Sequence, residues 1–171
     1  FEFSGGMRQR IVIAIALAAN PDILICDEPT TALDVTIQAQ ILELIQDLQK
    51  KLGMAVILVT HDLGVIADLC DNIVVMYGGR ICERGTAKEI FYNPKHEYTK
   101  GLLRSIPNIN RMKEKLIPIA GTPINMLNLP KGCSFCARCD NAMKICLTEQ
   151  PEELVINENH KASCWMNVKE M

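Results

Sequence analysis

The chain has 171 residues, of which 49% are apolar, so it is long enough to bury a sizeable hydrophobic core. Its 18 basic and 20 acidic residues give a formal net charge of −2, and this balance argues against a nucleic-acid-binding surface. No apolar run reaches the roughly 18 residues that span a bilayer, and no charged leader precedes an apolar segment, so we expect any membrane role to depend on partner proteins.

The first half of the chain alternates predicted helices with short apolar strands. Ser4 is a candidate N-cap for a helix over Met7–Ala19, which contains no Gly or Pro. Ile23–Cys26 and Ala55–Val59 are predicted to be buried strands, and the spacing of apolar residues predicts a helix over Val35–Lys51 between them. This alternation predicts an α/β fold with a buried parallel sheet.

The pattern changes in the second half of the chain. Gly78-Gly79 lies between two predicted strands, Ile73–Tyr77 and Arg80–Arg84, which is typical of a β-hairpin. Beyond about Asn93, prolines become frequent and few helix or strand signals remain. We therefore predict a boundary there, which divides the chain into residues 1–92 and a small irregular appendage over 93–171.

Two adjacent acids, Asp27 and Glu28, follow the first predicted strand. Ligands of open α/β sheets bind at the carboxyl ends of strands, so this position makes both acids candidates for ligand binding or catalysis. Asp27 can hold Mg²⁺, which prefers carboxylates and phosphates, and Glu28 can polarise a water molecule aimed at a γ-phosphate. An ordinary turn can also begin Asp-Glu-Pro, so the two acids alone leave both interpretations open.

Two further segments could contact phosphate. Ser4-Gly5-Gly6 precedes a helix, whose N-terminus attracts anions and whose glycines allow a close approach of the backbone. An ordinary N-capped helix would have the same sequence. His61 follows the second predicted strand and could polarise a terminal phosphate, although a lone histidine is more often structural.

The order of these segments is more informative than any one of them: FSGGMRQR at 3–10, ILICDEP at 23–29, ALD at 32–34 and THD at 60–62. In this order, residues 1 to about 92 closely resemble the ATPase subunits of ABC transporters, which are P-loop NTPases. The resemblance implies a signature motif at Ser4, Gly5, Gly6 and Met7, a magnesium-binding Asp27 and a catalytic base at Glu28. It also implies a D-loop around Asp34 and a switch histidine at His61.

The same resemblance implies ATP and Mg²⁺ as cofactors, a second ATPase subunit that is identical or related, and transmembrane permease subunits. Such a protein would lie at the cytoplasmic face of the cell membrane. No G-x-x-x-x-G-K-[ST] phosphate loop occurs in the 171 residues. We therefore expect the chain to be a truncated ATPase domain that neither binds ATP tightly nor hydrolyses it alone.

Three segments resemble one branch of that family, the oligopeptide and dipeptide importers: DEPTTALDVTIQAQ at 27–40, NPKHEYTKGLL at 93–103 and LPKGC at 129–133. Glu97 stands where that branch usually has a proline. Nickel importers of the same branch remain an alternative. So do a non-transport ATPase of the superfamily and a metal-binding interaction module built on an inactive ATPase fragment.

Five of the eight cysteines crowd into 32 residues: Cys133, Cys136, Cys139, Cys146 and Cys164. Clustered cysteines without a secretory leader indicate a metal more than disulfides. The resemblance implies a [4Fe–4S] cluster on Cys133, Cys139, Cys146 and Cys164, and four thiolates also suit tetrahedral Zn²⁺. Cys136 is extra to that set and could compete as a ligand.

Reduced thiols in a loosely folded tail remain the alternative to a metal site. The isolated cysteines, Cys26, Cys70 and Cys82, are expected to be buried apolar residues. His160 is expected at the surface.

Overall fold

A computed structural model of the chain describes residues 2–106 and 118–168. The chain divides into two compact units between Asp62 and Leu63. None of the helices in the described part of the chain is long and apolar enough to cross a bilayer.

The first unit contains two helices and a two-stranded parallel sheet: α1 (Gly5–Leu17), β1 (Ile23–Asp27), α2 (Val35–Leu52) and β2 (Ala55–Val59). Both helices contribute to one core that covers a single face of the sheet: Ile13, Leu24, Cys26, Ile41, Ile45 and Met54. The predicted α/β pattern with a parallel sheet is therefore confirmed, with small changes in the element bounds.

The other face of this small sheet is not covered by described residues. β1 alternates exposed and buried positions, and Ile25 is 67% exposed while Ile57 on β2 is 50% exposed. The prediction that both strands are fully buried is therefore wrong for the described residues. The physical reason is that α1 and α2 pack on the same face.

Local sequence accounts for the ends of both helices. The Ser4 hydroxyl accepts the backbone N–H of Met7 at 3.3 Å, which confirms Ser4 as the N-cap of α1. Asp34 caps α2 in the same way, accepting the N–H of Ile37 at 3.0 Å. α2 ends at Gly53, whose φ of 66° is readily adopted only by glycine.

The second unit is built on an antiparallel sheet with the strand order β3-β4-β6-β5. Its elements are α3 (Leu63–Leu69), β3 (Asn72–Tyr77), β4 (Arg80–Thr86), α4 (Ala87–Tyr92), α5 (Glu97–Arg104), α6 (Ile145–Thr148), β5 (Leu154–Asn157) and β6 (His160–Ala162). Gly78 and Gly79 have φ of 58° and 72°, so the predicted hairpin turn is confirmed.

The tail takes part in this sheet, which the sequence did not indicate. β6 pairs with β4, placing Ala162 opposite Glu83 and His160 opposite Gly85. The sheet therefore draws on residues from both sides of the boundary expected near residue 93, and that boundary stays a prediction.

A buried hydrogen bond between a histidine and a glutamate lies at the centre of this strand pairing. His160 is 1% exposed, so its expected surface position is wrong, and its Nε2 lies 2.7 Å from Glu83 Oε1. The same carboxylate accepts the backbone N–H groups of Lys95 at 2.6 Å and His96 at 3.0 Å. Glu83 thus joins β4, β6 and the segment that leads into α5.

We expect the change Glu83→Leu to lower the free energy of unfolding of the second unit by about 3–5 kcal/mol, because it leaves a buried imidazole and two N–H groups without their acceptor. Urea titration, monitored through the fluorescence of Trp165, the sole tryptophan, measures this free energy. Glu153→Leu is the control: its ion pair with Arg84 is partly exposed, so the expected change is within about 1 kcal/mol. Equal losses in the two variants would contradict the prediction.

Candidate functional site

The parallel pairing of β1 and β2 brings their carboxyl ends to one edge of the sheet. Asp27 lies opposite Val59, and Glu28 continues the ladder by donating its N–H to the Val59 carbonyl at 2.9 Å. His61 follows two residues later and places its Nδ1 2.6 Å from Glu28 Oε1. The two residues predicted to act on the γ-phosphate therefore form a direct pair.

The turn after β1 holds the Glu28 carboxylate in place. Glu28 has a φ of 46°, in the left-handed region that non-glycine residues rarely adopt. The Thr31 hydroxyl donates to Glu28 Oε2 at 2.5 Å, and the Thr31 N–H donates to the Glu28 carbonyl at 3.1 Å. Backbone strain of this kind costs about 1–3 kcal/mol and is concentrated at functional sites.

The hydrogen bonds of this turn alter the acid–base properties of both groups. The Thr31 hydroxyl, and then His61, lower the pKa of Glu28, while the hydrogen bond to Glu28 raises the pKa of His61. The contribution of Glu28 to folding stability is lost as the pH falls through its lowered pKa. The contribution of His61 is lost as the pH rises through its raised pKa. The Glu28–His61 ion pair is therefore favoured at pH values between these two pKa values. Both side chains are partly exposed, so solvent and salt screen their attraction.

The structure places the two remaining acids at separate points. Asp27 is exposed at the end of β1, and Asp34 is exposed at the N-terminus of α2, where it serves as the helix cap. Neither belongs to a group of three or more His, Cys, Asp or Glu side chains arranged to hold a metal within residues 2–106 and 118–168. Magnesium binding by Asp27 and a D-loop role for Asp34 stay predictions.

The segment Ser4–Met7 forms the first turn of α1, and it lies beside the start of α2 rather than being free-standing. A Cβ atom at Gly6 would overlap the Ile37 side chain, and one at Gly5 would come within 3.0 Å of Leu33. Packing of α1 on α2 therefore accounts for Gly6 without a ligand, while Gly5 lies against Leu33 in the segment that precedes α2. Contact with nucleotide through Ser4, Gly5, Gly6 and Met7 stays a prediction, and Met7 is 47% exposed.

A second candidate site lies in the tail, where the five clustered cysteines line one pocket with His96, Glu97, Phe135, Asn141, Pro151, Trp165 and Met166. Its free volume is about 20 Å³, which is close to that of a single water molecule. Reduced thiols in a loosely folded tail were the alternative to a metal site; the described residues instead bring the five cysteines to one pocket.

Three of these thiols come from one tight turn. The N–H of Cys136 donates to the Cys133 carbonyl at 3.0 Å, and the N–H of Cys139 donates to the Cys136 carbonyl at 3.2 Å. Residues three apart in such 3₁₀ geometry point in the same direction, so the three side chains reach one pocket. Phe135, which is 3% exposed, anchors the turn against Tyr77, with 5.3 Å between ring centroids.

A glycine brings the other cysteine-bearing segment close to this turn. The Cys133 N–H donates to the Cys146 carbonyl at 2.9 Å, and a Cβ atom at the neighbouring Gly132 would overlap that carbonyl. The sequence analysis missed Gly132 because nothing in a Lys-Gly-Cys segment indicates that two backbones approach there.

Burial raises the pKa of several thiols of this pocket, which makes their deprotonation costly without a cation. It raises the pKa of Cys133 and Cys164, and it raises that of Cys139 to about 11. Cys82, buried as expected, has a pKa raised to about 12 by burial and by the nearby Cys133. The donor set is chemically suited to a thiophilic ion, which would compensate the cost of deprotonation.

The geometry, however, is not that of a formed metal centre. Among the described residues, no three His, Cys, Asp or Glu side chains are arranged around a common metal position. The structure therefore does not support a formed [4Fe–4S] or Zn²⁺ site, and metal binding by these cysteines stays a proposal.

Comparison with known proteins finds a family match in each of two parts of the chain. The sequence profile described as ABC transporter matches residues 1–31, and the profile described as Oligopeptide/dipeptide transporter, C-terminal region, matches residues 82–146. A similar solved structure is cbiO1 from Clostridium perfringens, part of the ABC transporter complex cbiONQ. It has a TM-score of 0.51 and 39% identity, covering 54% of this chain and 37% of that one.

A second similar structure is MJ1267, an ATP-binding cassette of an ABC transporter in its ADP conformation. Its TM-score is 0.51 with 26% identity, covering 58% of this chain and 40% of that one. These likenesses indicate an ABC ATPase domain, as the sequence motifs predicted.

Curated relatives are more similar still. The dipeptide transport ATP-binding protein DppD of Bacillus subtilis is 55% identical over 165 residues, which are 96% of this chain and 49% of that protein. The oligopeptide transport ATP-binding protein OppD of Salmonella typhimurium is 48% identical over 170 residues, which are 99% of this chain and 50% of that protein. The chain belongs to the family of oligopeptide and dipeptide transport ATP-binding proteins, and it spans about half the length of these curated relatives.

We expect the change Glu28→Gln to lower the pKa of His61 toward its ordinary value, because the amide removes the charged acceptor beside the ring. Titration of the imidazole by two-dimensional NMR measures this pKa. Glu43→Gln, an exposed substitution on α2, is the control and should leave it unchanged. An unaltered His61 pKa in Glu28→Gln would show that the two side chains do not pair in solution.

We expect Gly132→Ala to lower the free energy of unfolding of the second unit by about 1–3 kcal/mol, because the added methyl group forces two backbone segments apart. Ala137→Ser also adds one heavy atom, but at an exposed position of the same turn, and should change stability by less than about 0.5 kcal/mol. Urea unfolding followed through Trp165 measures both changes. A Gly132→Ala variant as stable as the control would mean that the two segments are not held in contact.

Proposed function

We propose that the protein to which this chain belongs is the ATP-hydrolysing subunit of an importer for oligopeptides or dipeptides. The observation that carries the proposal is the Glu28–His61 pair, held 2.6 Å apart at the carboxyl ends of two parallel strands. The names of the relatives, which are dipeptide and oligopeptide transport ATP-binding proteins, favour peptides over nickel as the transported solute.

In this proposal, Glu28 accepts the proton of the water molecule that attacks the γ-phosphate. The hydrogen bond from Thr31, and then that from His61, lower the pKa of Glu28, so the paired carboxylate is a weak base. If His61 rotates to donate to the γ-phosphate, Glu28 loses that hydrogen bond and becomes more basic. The pair would thus link the presence of a terminal phosphate to the strength of the base.

The other sites follow from their positions. Asp27 would hold Mg²⁺, which neutralises charge on the phosphates. Ser4, Gly5, Gly6 and Met7 would contact nucleotide seated on a second ATPase subunit, and Asp34 would lie close to that subunit. Their places at an exposed helix N-terminus and at the start of α2 are compatible with such an interface.

The tail would serve as a metal-stapled extension, as expected from the sequence. Cys133, Cys139, Cys146 and Cys164 would hold a [4Fe–4S] cluster or Zn²⁺, and the convergence of their side chains on one pocket supports this. The metal would have a structural role and would stabilise the fold of residues 93–171.

The whole protein would work with transmembrane permease subunits and lie at the cytoplasmic face of the membrane. The 171 residues contain no G-x-x-x-x-G-K-[ST] loop, so we expect them to hydrolyse no ATP in isolation. The test therefore requires the full gene product, co-expressed with its permease partners and reconstituted in vesicles.

We expect Glu28→Gln in that complex to reduce the rate of ATP hydrolysis by about 10²–10⁴-fold, because the base is lost. Phosphate release and uptake of a radiolabelled dipeptide are measured together, with Glu43→Gln as the control that retains both. Nickel uptake without peptide uptake would redirect the assignment to nickel import. Full ATP hydrolysis by Glu28→Gln would overturn the catalytic role of Glu28.

A further inference from the structure

The ring of His61 has little packing to hold it in place. Its side chain is 80% exposed, and its Nδ1 is bonded to Glu28. In the proposed function, His61 leaves that carboxylate to reach the γ-phosphate. The ring must then take its position from the backbone around it, so the contacts that fix this backbone bear directly on the reaction.

The backbone on either side of His61 is held within its own segment. Before it, β2 is paired with β1 as far as Val59. After it, the N–H of Asp62 donates to the Thr60 hydroxyl at 3.1 Å, which closes a tight turn with His61 at its centre. A turn closed by its own residues can still swing as a unit, so a contact from another element is needed to fix its direction.

Gln38 on α2 supplies such a contact. Its side-chain Nε2 donates to Asp62 Oδ2 at 3.2 Å, although the two residues are 24 positions apart in the chain. A carboxylate only accepts hydrogen bonds, so the nitrogen of the amide must face it. The amide is neutral and therefore holds Asp62 without adding a charge beside the site. Gln38 thus joins α2 directly to the residue that follows His61.

The part of α2 that carries Gln38 is itself firmly held. The Gln38 N–H donates to the Asp34 carbonyl at 2.8 Å, and the Asp34 carboxylate accepts the N–H of Ile37 at 3.0 Å. Ile37 also packs against the first turn of α1, where a Cβ atom at Gly6 would overlap it. Gln38 therefore extends from a turn that is capped, hydrogen-bonded and packed, which makes it a fixed support for Asp62.

We propose that Gln38 is a positioning residue for His61: by holding Asp62, it fixes the turn from which the histidine ring reaches either Glu28 or the γ-phosphate. The inference rests on the proposed ATP hydrolysis at the Glu28–His61 pair. In it, Gln38 touches neither the nucleotide nor the attacking water. Loss of its side chain therefore slows the chemical step more than it weakens the binding of ATP.

Steady-state ATP hydrolysis by the full gene product, assembled with its permease partners in vesicles, tests the inference. We expect Gln38→Leu to lower kcat about tenfold and to leave the KM for ATP within about twofold, because a small misplacement of a group at the reacting centre is costly. Gln38→Arg restores a hydrogen-bond donor to Asp62 and should keep kcat within about threefold of the unmodified complex. A Gln38→Arg variant as slow as Gln38→Leu would show that the hydrogen bond is not what positions His61.

Gln49→Leu is the matched control. Gln49 is also a half-buried glutamine, and it lies on the same face of α2 about 16 Å further along the helix axis. This variant should keep the kcat and KM of the unmodified complex. An equal loss of kcat in Gln49→Leu and Gln38→Leu would mean that the substitution acts through α2 in general, which would overturn the positioning role.

A double-mutant cycle determines whether Gln38 acts through Asp62. Asp62→Ala removes the acceptor of the hydrogen bond, so adding Gln38→Leu to Asp62→Ala should lower kcat no further. If the two losses multiply instead, Gln38 acts by another route and the inference is overturned.

The same measurements separate this inference from the proposed function. Full hydrolysis by Gln38→Leu, together with a loss in Glu28→Gln, would overturn the positioning role and leave the catalytic pair as proposed. Full hydrolysis by Glu28→Gln would overturn the catalytic pair and the inference with it. A raised KM with unchanged kcat in Gln38→Leu would assign Gln38 to nucleotide binding and would likewise overturn the inference.

Discussion

The parallel register between β1 and β2 is the constraint on which the candidate active site depends. Glu28 and His61 are 33 residues apart in the chain, and only the pairing of Asp27 with Val59 brings their side chains together. A helix must connect two parallel strands, and α2 does so while covering one face of the sheet. The strained turn at Glu28 then fixes the carboxylate beside the histidine.

In the second unit, a buried carboxylate has a comparable role. Glu83 holds β6 and the start of α5 in place through hydrogen bonds to the His160 imidazole and to the N–H groups of Lys95 and His96. Cys82 precedes it on β4, and Cys164 follows β6, so the strand pairing also sets where part of the cysteine pocket lies. The tail is therefore organised by polar contacts in its sheet as well as by any metal.

The sequence was sufficient to predict the elements of the first unit and to select Glu28 and His61 as candidate site residues, because strand ends and motif order are local signals. It could not reveal the antiparallel pairing of β4 with β6, because His160 and Glu83 are distant in the chain and carry no periodic pattern. Thr31 and Gly132 were missed for a similar reason: each acts through one specific contact. The cysteine cluster was evident from spacing, but the convergence of its five side chains on one pocket requires the fold.

The uncovered face of the β1–β2 sheet has a consequence for how the chain behaves outside a larger assembly. Ile23, Ile25 and Ile57 present branched apolar side chains on a flat surface, and a two-stranded sheet has an unpaired edge on each side. Such a surface favours self-association of the chain and recognition by chaperones. Purification of these 171 residues would accordingly be governed by colloidal stability more than by the free energy of folding, and dilute, low-salt conditions would suit it best.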